Sequence, residues 1–308
     1  MRHRYLLFLV IFVVLIMIAG CGRSTRSSEE GFIWYRTGSQ GLTMSLLYNS
    51  PQPYIYEGDR LTVSLELWNK GTSPITLGQI WYTGFDRSII PNYGTSGTGD
   101  LPEFENFQIL DYRDQYNREG GVIYLDRKSG EIYLPVGTAR YPFRFMVYAC
   151  YDYQTIAPIS ICIDPEPWRW NVDKPCIATD VGGGTQGAPV AITNIDQETT
   201  SNSVRFRVTV SNVGSGTIVD KLYTTSKCPT SFLPSDIDKV YLDYVTLSNL
   251  DITSTCKPQN PIRLNEGTGY FYCEAPLPEG PAFKTILEIG ISYGYKQSVF
   301  KQVEIRSI

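Results

Sequence analysis

Two stretches of the chain alternate strictly between apolar and polar residues. In the first, Leu61, Val63, Leu65 and Leu67 interleave with Thr62, Ser64, Glu66 and Trp68. In the second, Val204, Phe206, Val208 and Val210 interleave with Arg205, Arg207, Thr209 and Ser211. A period of two with one apolar face predicts a strand half buried in a sheet. Both runs end in a turn signal, Asn69-Lys70-Gly71-Thr72 and Asn212-Val213-Gly214-Ser215, because Asn and Gly both accept positive φ. Helical periodicity is nearly absent beyond the N-terminus. Strands are expected at 42–48, 60–68, 75–83, 121–127, 131–134, 141–153 and 158–164, then at 188–195, 203–211, 217–224, 238–247, 251–256, 268–273, 284–293 and 298–306. Many short strands separated by Gly, Pro and Asn predict an all-β chain of immunoglobulin-like β-sandwiches, with an up-and-down barrel as the lesser option.

The turn signals belong to an internal repeat. Asn69 and Asn212 are 143 positions apart, while Tyr151 and Tyr293, and Ile163 and Ile305, are each 142 apart. Cys150-Tyr151-Asp152-Tyr153 in one half corresponds to Ser292-Tyr293-Gly294-Tyr295 in the other. The spacing predicts two tandem sandwich domains, 32–164 and 188–308, each closed by a hairpin after Tyr-x-Tyr. The stretch 165–187 carries Pro165, Pro167, Pro175 and Gly182-Gly183-Gly184 and is expected to link them. Residues 84–121 form a second irregular, polar stretch and are the candidate contact region.

The N-terminus has a different pattern. Arg2 and Arg4 precede an almost unbroken apolar run from Tyr5 to Met17, which leads into Ile18-Ala19-Gly20-Cys21. A cationic start, an apolar core and small residues before a cleavage point mark a secretory signal. Ile-Ala-Gly-Cys resembles the lipobox of prokaryotic lipoproteins, which makes 1–21 the signal and Cys21 the lipidated residue. An uncleaved anchor helix is the rival, although a full span needs about 20 apolar residues. Residues 22–31, polar apart from their end, are expected to be a flexible tether. On either reading the chain is exported and held at the outer face of the cytoplasmic membrane.

Composition narrows the function classes. Charged residues make up 19% of the chain, against about 25% in typical globular proteins, and tyrosine is abundant at 22 residues. Loss of Arg2 and Arg4 lowers Lys+Arg from 27 to 25 against 31 Asp+Glu, a net charge of about −6. With no basic run, nucleic acid is not an expected partner. The sole histidine, His3, lies in the signal, so Ser-His-Asp and Cys-His nucleophile systems and histidine-ligated metals are excluded from the mature chain. There is no phosphate-loop motif, and no cofactor is expected.

Assigning Cys21 to the anchor leaves six cysteines, an even number in an exported chain, so three disulfides are expected. The closing hairpin, centred near residue 156, would set Cys150 opposite Cys162 and pair them. The remaining four cysteines allow three connectivities, of which Cys176–Cys228 with Cys256–Cys273 is taken. Asp111, Asp114 and Glu119 are the weak metal or glycosidase candidates. Arg113 and Arg118 interleave with them and favour an ion-paired loop. Tyr112, Tyr116, Trp168 and Trp170 are the candidate binding surface for protein or glycan.

Ser203–Val219 (SVRFRVTVSNVGSGTIV) and Leu61–Ile75 (LTVSLELWNKGTSPI) resemble the cell-adhesion-related domains called CARDB. Together with the lipobox, the chain is similar to surface lipoproteins of the kind found in archaea. The resemblance covers about fifteen residues in each half. It implies exported β-sandwiches with adhesion or surface-assembly roles and brings no catalytic residues. Expected partners are the membrane, through the N-terminus, and a protein or glycan at the cell surface. The alternatives are a receptor that captures a glycan or solute and, behind it, a carboxylate-dependent hydrolase.

Overall fold

The alternating runs are strands, and their apolar faces are fully buried. Leu61, Val63, Leu65 and Leu67 are inaccessible to solvent, as are Val204, Phe206, Val208 and Val210. Each such side chain contributes about 1.5–3 kcal/mol by leaving water. The computed structural model describes residues 35–92, 100–169 and 173–308. The signal, Cys21, the tether 22–31 and Trp170 therefore lie outside the described residues.

The first half holds β1 (Leu42–Leu46), β2 (Tyr54–Tyr56), β3 (Arg60–Asn69), β4 (Ile75–Thr83), β5 (Phe104–Ile109), β6 (Gly121–Glu131) and β7 (Arg140–Ile163). The second holds β8 (Val181–Gly182), β9 (Val190–Thr199), β10 (Ser203–Asn212), β11 (Thr217–Val219), β12 (Lys239–Leu247), β13 (Leu250–Asp251), β14 (Ile262–Arg263), β15 (Thr268–Pro276) and β16 (Phe283–Arg306). One sheet runs β1-β3-β6 and another β15-β10-β9-β8. The third runs β13-β12-β16-β7-β4-β5, with β2 and β11 also on β16 and β14 on β12. Except for the parallel β2–β16 pair, the ladders are antiparallel. The chain is thus all-β, with several antiparallel sheets that share one buried core.

The spine of the third sheet corrects the expected layout. β7 pairs with β16 along all 24 residues of each, from Arg140↔Arg306 to Ile163↔Phe283. No turn interrupts β7 near residue 156. The two halves are not consecutive domains on a linker, because residues 35–308 form one compact unit. The first part of β7 pairs with β4 of its own half. Its later part reaches the second half, where Thr155 Oγ1 donates to the Val190 carbonyl (2.6 Å) and the Cys162 carbonyl accepts from Gln197 Nε2 (2.8 Å). β16 does the reverse. Its beginning pairs with β12, and its end reaches the first half, where Gln297 Nε2 donates to the Leu42 carbonyl (3.0 Å) and Glu304–Arg306 pair with β2. The halves therefore exchange the ends of their longest strands. The expected linker is pinned as well: Gly187 donates to the Gly38 carbonyl and accepts from the Thr72 amide.

The exchange is centred where Asp152 faces Gly294 in the ladder, two positions that are themselves 142 apart. Around this centre Tyr151 faces Tyr295 and Tyr153 faces Tyr293. The four rings form a closed cluster with centroids 5.8–6.3 Å apart around its perimeter. Their hydroxyls repeat one hydrogen-bond scheme. Tyr153 donates to Asn69 Oδ1 and Tyr295 to Asn212 Oδ1, each at 3.2 Å. Asn69 Nδ2 then donates to the Ser73 carbonyl (2.8 Å) and Asn212 Nδ2 to the Gly216 carbonyl (2.9 Å). Tyr151 accepts from the Leu42 amide and Tyr293 from the Val190 amide, each at 3.3 Å. The glycines of the two turns serve this scheme through their lack of a side chain. A Cβ at Gly71 would overlap the Tyr153 hydroxyl, and one at Gly214 would crowd that of Tyr295.

The disulfides follow from the uninterrupted strand. Cys150 and Cys162 lie twelve positions apart on β7, about 40 Å in an extended strand, so they cannot pair. The structure joins Cys150 to Cys228 in place of the expected Cys150–Cys162 bridge, and Cys162 to Cys176 in place of Cys176–Cys228. The third bridge joins Cys256 to Cys273. Cys150–Cys228 ties the first half to the second and closes a loop of 78 residues, whereas the others close 14 and 17. By loop-closure entropy, removing Cys150–Cys228 in a paired serine variant is expected to cost about 4.5 kcal/mol, against about 3 kcal/mol for either other bridge. Urea denaturation of the three paired variants measures this order.

Candidate functional site: an aromatic and cationic sheet face

The outer side of the third sheet differs between the halves. In the first half, residues of even number on β7 and β16 point away from the core, while Phe143, Phe145 and Val147 point into it. Antiparallel pairing sets Phe104 of β5, Trp81 of β4, Tyr148 of β7 and Ser298 of β16 in one row. The next row holds Thr83, Met146 and Phe300. Further along come Arg144, and then Arg140 opposite Arg306, with Tyr56 beyond Arg306 on β2. Phe104 and Phe300 are about half exposed, at 46% and 54%. Trp81, Met146 and Tyr148 are partly buried.

The side chains of this face are braced. The Trp81 ring stacks on Phe104 at 4.8 Å, and its Nε1 donates to Gln79 Oε1 (2.6 Å). Gln79 Nε2 in turn donates to Asn106 Oδ1 (3.3 Å). The Arg144 guanidinium lies 3.6 Å from the centroid of Phe300. That of Arg306 lies 3.9 Å from the centroid of Tyr54, and its Nε donates to Glu304 Oε1 (2.6 Å). The hydrogen bond to Glu304 holds the Arg306 guanidinium above its ordinary value. Stacking on a ring face leaves the edge of a guanidinium, where its N–H donors lie, directed along the surface.

The repeat supplies an internal control. Stepping 142 positions, Tyr148 becomes Gly290, Met146 becomes Glu288, Arg144 becomes Ile286, Phe300 becomes Pro158 and Arg306 becomes Asp164. In the second half the Tyr244 ring lies over Gly290, and its hydroxyl donates to Glu288 Oε1 (3.0 Å). At these five places the second half has neither aromatic ring nor cation, although Tyr244 pairs with Gly290 there as Trp81 pairs with Tyr148. The repeated scaffold does not require the five side chains.

Of the four residues expected from sequence to form the binding surface, Tyr112, Tyr116 and Trp168 are described. Tyr116 is 87% exposed, Trp168 57% and Tyr112 37%, and no ring contact joins the three. Asp114 is committed to a turn, its Oδ1 accepting from the amides of Tyr116 and Asn117 at 2.7 Å. Asp111 and Glu119 contribute backbone carbonyls, to Asn69 Nδ2 (3.1 Å) and Trp68 Nε1 (2.6 Å). Among the described residues no group of three His, Cys, Asp or Glu side chains assembles to hold a metal ion. The stretch 84–121 contains strand β5 and so is not wholly a loop.

A cleft of about 500 Å³ lies near the centre of the strand exchange, lined by Leu42, Tyr151, Pro189, Gly214, Tyr295 and Gln297 among others. The tyrosine hydroxyls and Gln297 that line it already serve the bonds described above. No protein-family model and no curated protein matches the chain. Solved structures to which it is similar include the native form of alpha-2-macroglobulin from E. coli, at 10% identity over 89% of this chain and 17% of that one, with a TM-score of 0.17. Another is the CupB6 tip adhesin from Pseudomonas aeruginosa, at 11% identity over 88% of this chain and 96% of that one, with a TM-score of 0.14. Similarity at this level carries no argument about fold or function.

Proposed function

We propose that the protein is an exported, non-catalytic surface protein, anchored to the outer face of the cytoplasmic membrane through Cys21 and used in adhesion or cell-envelope assembly. The observation that carries this reading is the pairing of all six cysteines downstream of Cys21 in three disulfides. Such bridges form and persist in oxidising compartments outside the cytosol. The strand exchange supports the same reading, because a body stiffened by a 24-residue ladder and a bridge between its halves suits rigid display on a short tether. The finer description as immunoglobulin-like sandwiches of the CARDB kind belongs to this proposal.

Cys21→Ser is expected to move the protein from the membrane fraction to the soluble exported fraction. The wild type should carry a lipid-sized mass increment on an N-terminal peptide beginning at Cys21. A Cys21→Ser protein that stays in the membrane fraction would sink the lipid anchor and favour the uncleaved helix. A second reading, capture of a glycan, is favoured by the aromatic and cationic face.

A further inference from the structure

We infer that the outer face of the first half, formed by β5, β4, β7 and β16, is a docking surface for a uronate-bearing polysaccharide. This rests on the surface location proposed above. Four observations lead to it.

The first is the asymmetry between the repeats. Tyr148, Met146, Arg144, Phe300 and Arg306 stand where the second half has Gly, Glu, Ile, Pro and Asp. Solvent-facing side chains that the duplicated scaffold does without are free to serve a ligand. The second is charge. Arg140, Arg144 and Arg306 face outward from a chain whose formal charge is −4, and Glu304 is the acid braced among them. A cationic face on an acidic protein selects an anion, and the planar guanidinium fork matches a carboxylate through two parallel hydrogen bonds.

The third is shape. From Tyr148 to Arg140 along β7 is eight residues, about 27 Å of extended strand. The aromatic row lies at one end of this path and the Arg140–Arg306 pair at the other, with Arg144 on Phe300 between them. A small molecule reaches only part of that path, whereas an extended polymer with repeating charge contacts all of it. The fourth is the ring chemistry. Partly exposed aromatic rings offer apolar contact to the C–H faces of sugar rings, and the cations between them meet the carboxylates.

An anionic membrane is the poorer occupant. Interfacial anchoring requires an apolar stripe to sink into the acyl boundary, whereas here the half-exposed Phe104 and Phe300 stand among Ser298, Gln302 and Arg144, and Trp81, Tyr148 and Met146 are partly buried. Single-stranded nucleic acid also suits rings and cations, but the disulfides argue for a compartment outside the cytosol.

The test uses the full chain reconstituted in uncharged phosphatidylcholine nanodiscs, with polygalacturonate as the probe. Dextran, phosphatidylglycerol vesicles and oligo-dT serve as comparisons. Saturable binding of polygalacturonate that weakens with salt is expected, with at least tenfold loss in Arg144→Gln and in Trp81→Ala/Phe300→Ala. Ile286→Ala, at the matching place of the second half, should bind as the wild type does. Retained far-ultraviolet circular dichroism in each variant separates lost binding from lost fold. The inference is overturned if polygalacturonate does not bind, if Arg144→Gln binds unchanged, or if dextran, vesicles or oligo-dT bind as tightly. Fractionation of Cys21→Ser tests the location independently, so failure of either idea is read without the other.

Discussion

Raising the pH well above 10 is expected to cost the folded chain at least about 4 kcal/mol of stability per pH unit. The cause lies at the centre of the strand exchange. Burial pushes the phenols of Tyr151, Tyr153 and Tyr293 well above their ordinary value, and neighbouring tyrosines add to the shift at Tyr151. In the unfolded chain these groups titrate near 10. Below that pH both states hold the protons, and the stabilisation is present in full. Above it the unfolded state releases protons that the folded state keeps, so stability falls as pH rises. Each retained proton costs about 1.4 kcal/mol per pH unit; these three act together, and Tyr82, whose phenol is pushed up by burial and by Glu105 beside it, adds to the slope. Urea denaturation at pH 8, 10 and 11 measures the slope, and Tyr153→Phe should reduce it by one proton. A stability that stays level from pH 8 to 11 would show that these phenols ionise within the fold.

The same cluster explains what could be read in the sequence. Alternation located β3 and β10 because each has water on one face and core on the other, so period two survives in the residue types. The Asn-x-Gly and Tyr-x-Tyr repeats were visible because each Asn, Gly and Tyr has a bonding or packing task that few other residues perform. The expected reason for the glycines was different: they leave room for a tyrosine hydroxyl rather than supply positive φ.

The closing hairpin failed for a specific reason. Thr155 to Pro158 has the composition of a turn, yet Thr155 is fully buried and Pro158 lies within the strand opposite Glu288. Proline is tolerated where one side of a strand needs no ladder hydrogen bond. β4 pairs with β7 only over Met146–Tyr151, and among the described residues no other strand besides β16 pairs with β7 beyond it. The missing amide therefore costs no ladder bond. With the turn went the register, and with the register the Cys150–Cys162 pair. The candidate face left a weaker trace. Tyr148 and Phe300 are aromatic residues at polar positions of alternating strands, but only the ladder reveals that they share a surface with Trp81 and Phe104.

Cutting the chain between its halves is expected to leave them together. Residues Ile177 to Asp180 precede β8, and Ile177 is 73% exposed, so a protease site placed there is accessible. Two independent domains would separate once the Cys150–Cys228 bridge was reduced. Here each half holds a strand end of the other, and the shared ladder runs the full 24 residues of both strands. Its centre buries four tyrosines, and the flanking Phe145, Val147, Ile289 and Ile291 are also inaccessible. Pulling the halves apart would open the ladder itself and expose the tyrosine cluster with Ile159, Ile161, Ile163, Val303 and Ile305 of the exchanged ends, at about 1.5–3 kcal/mol each. Even discounted by 40% for the compactness of unfolded chains, that is about 8–16 kcal/mol before the ladder is counted, against about 8 kcal/mol for holding two fragments together at micromolar concentration. The cleaved, reduced protein should therefore elute from a native sizing column as one species of full size, and separate only in denaturant. Elution of two half-sized species without denaturant would mean that the strand ends are not exchanged.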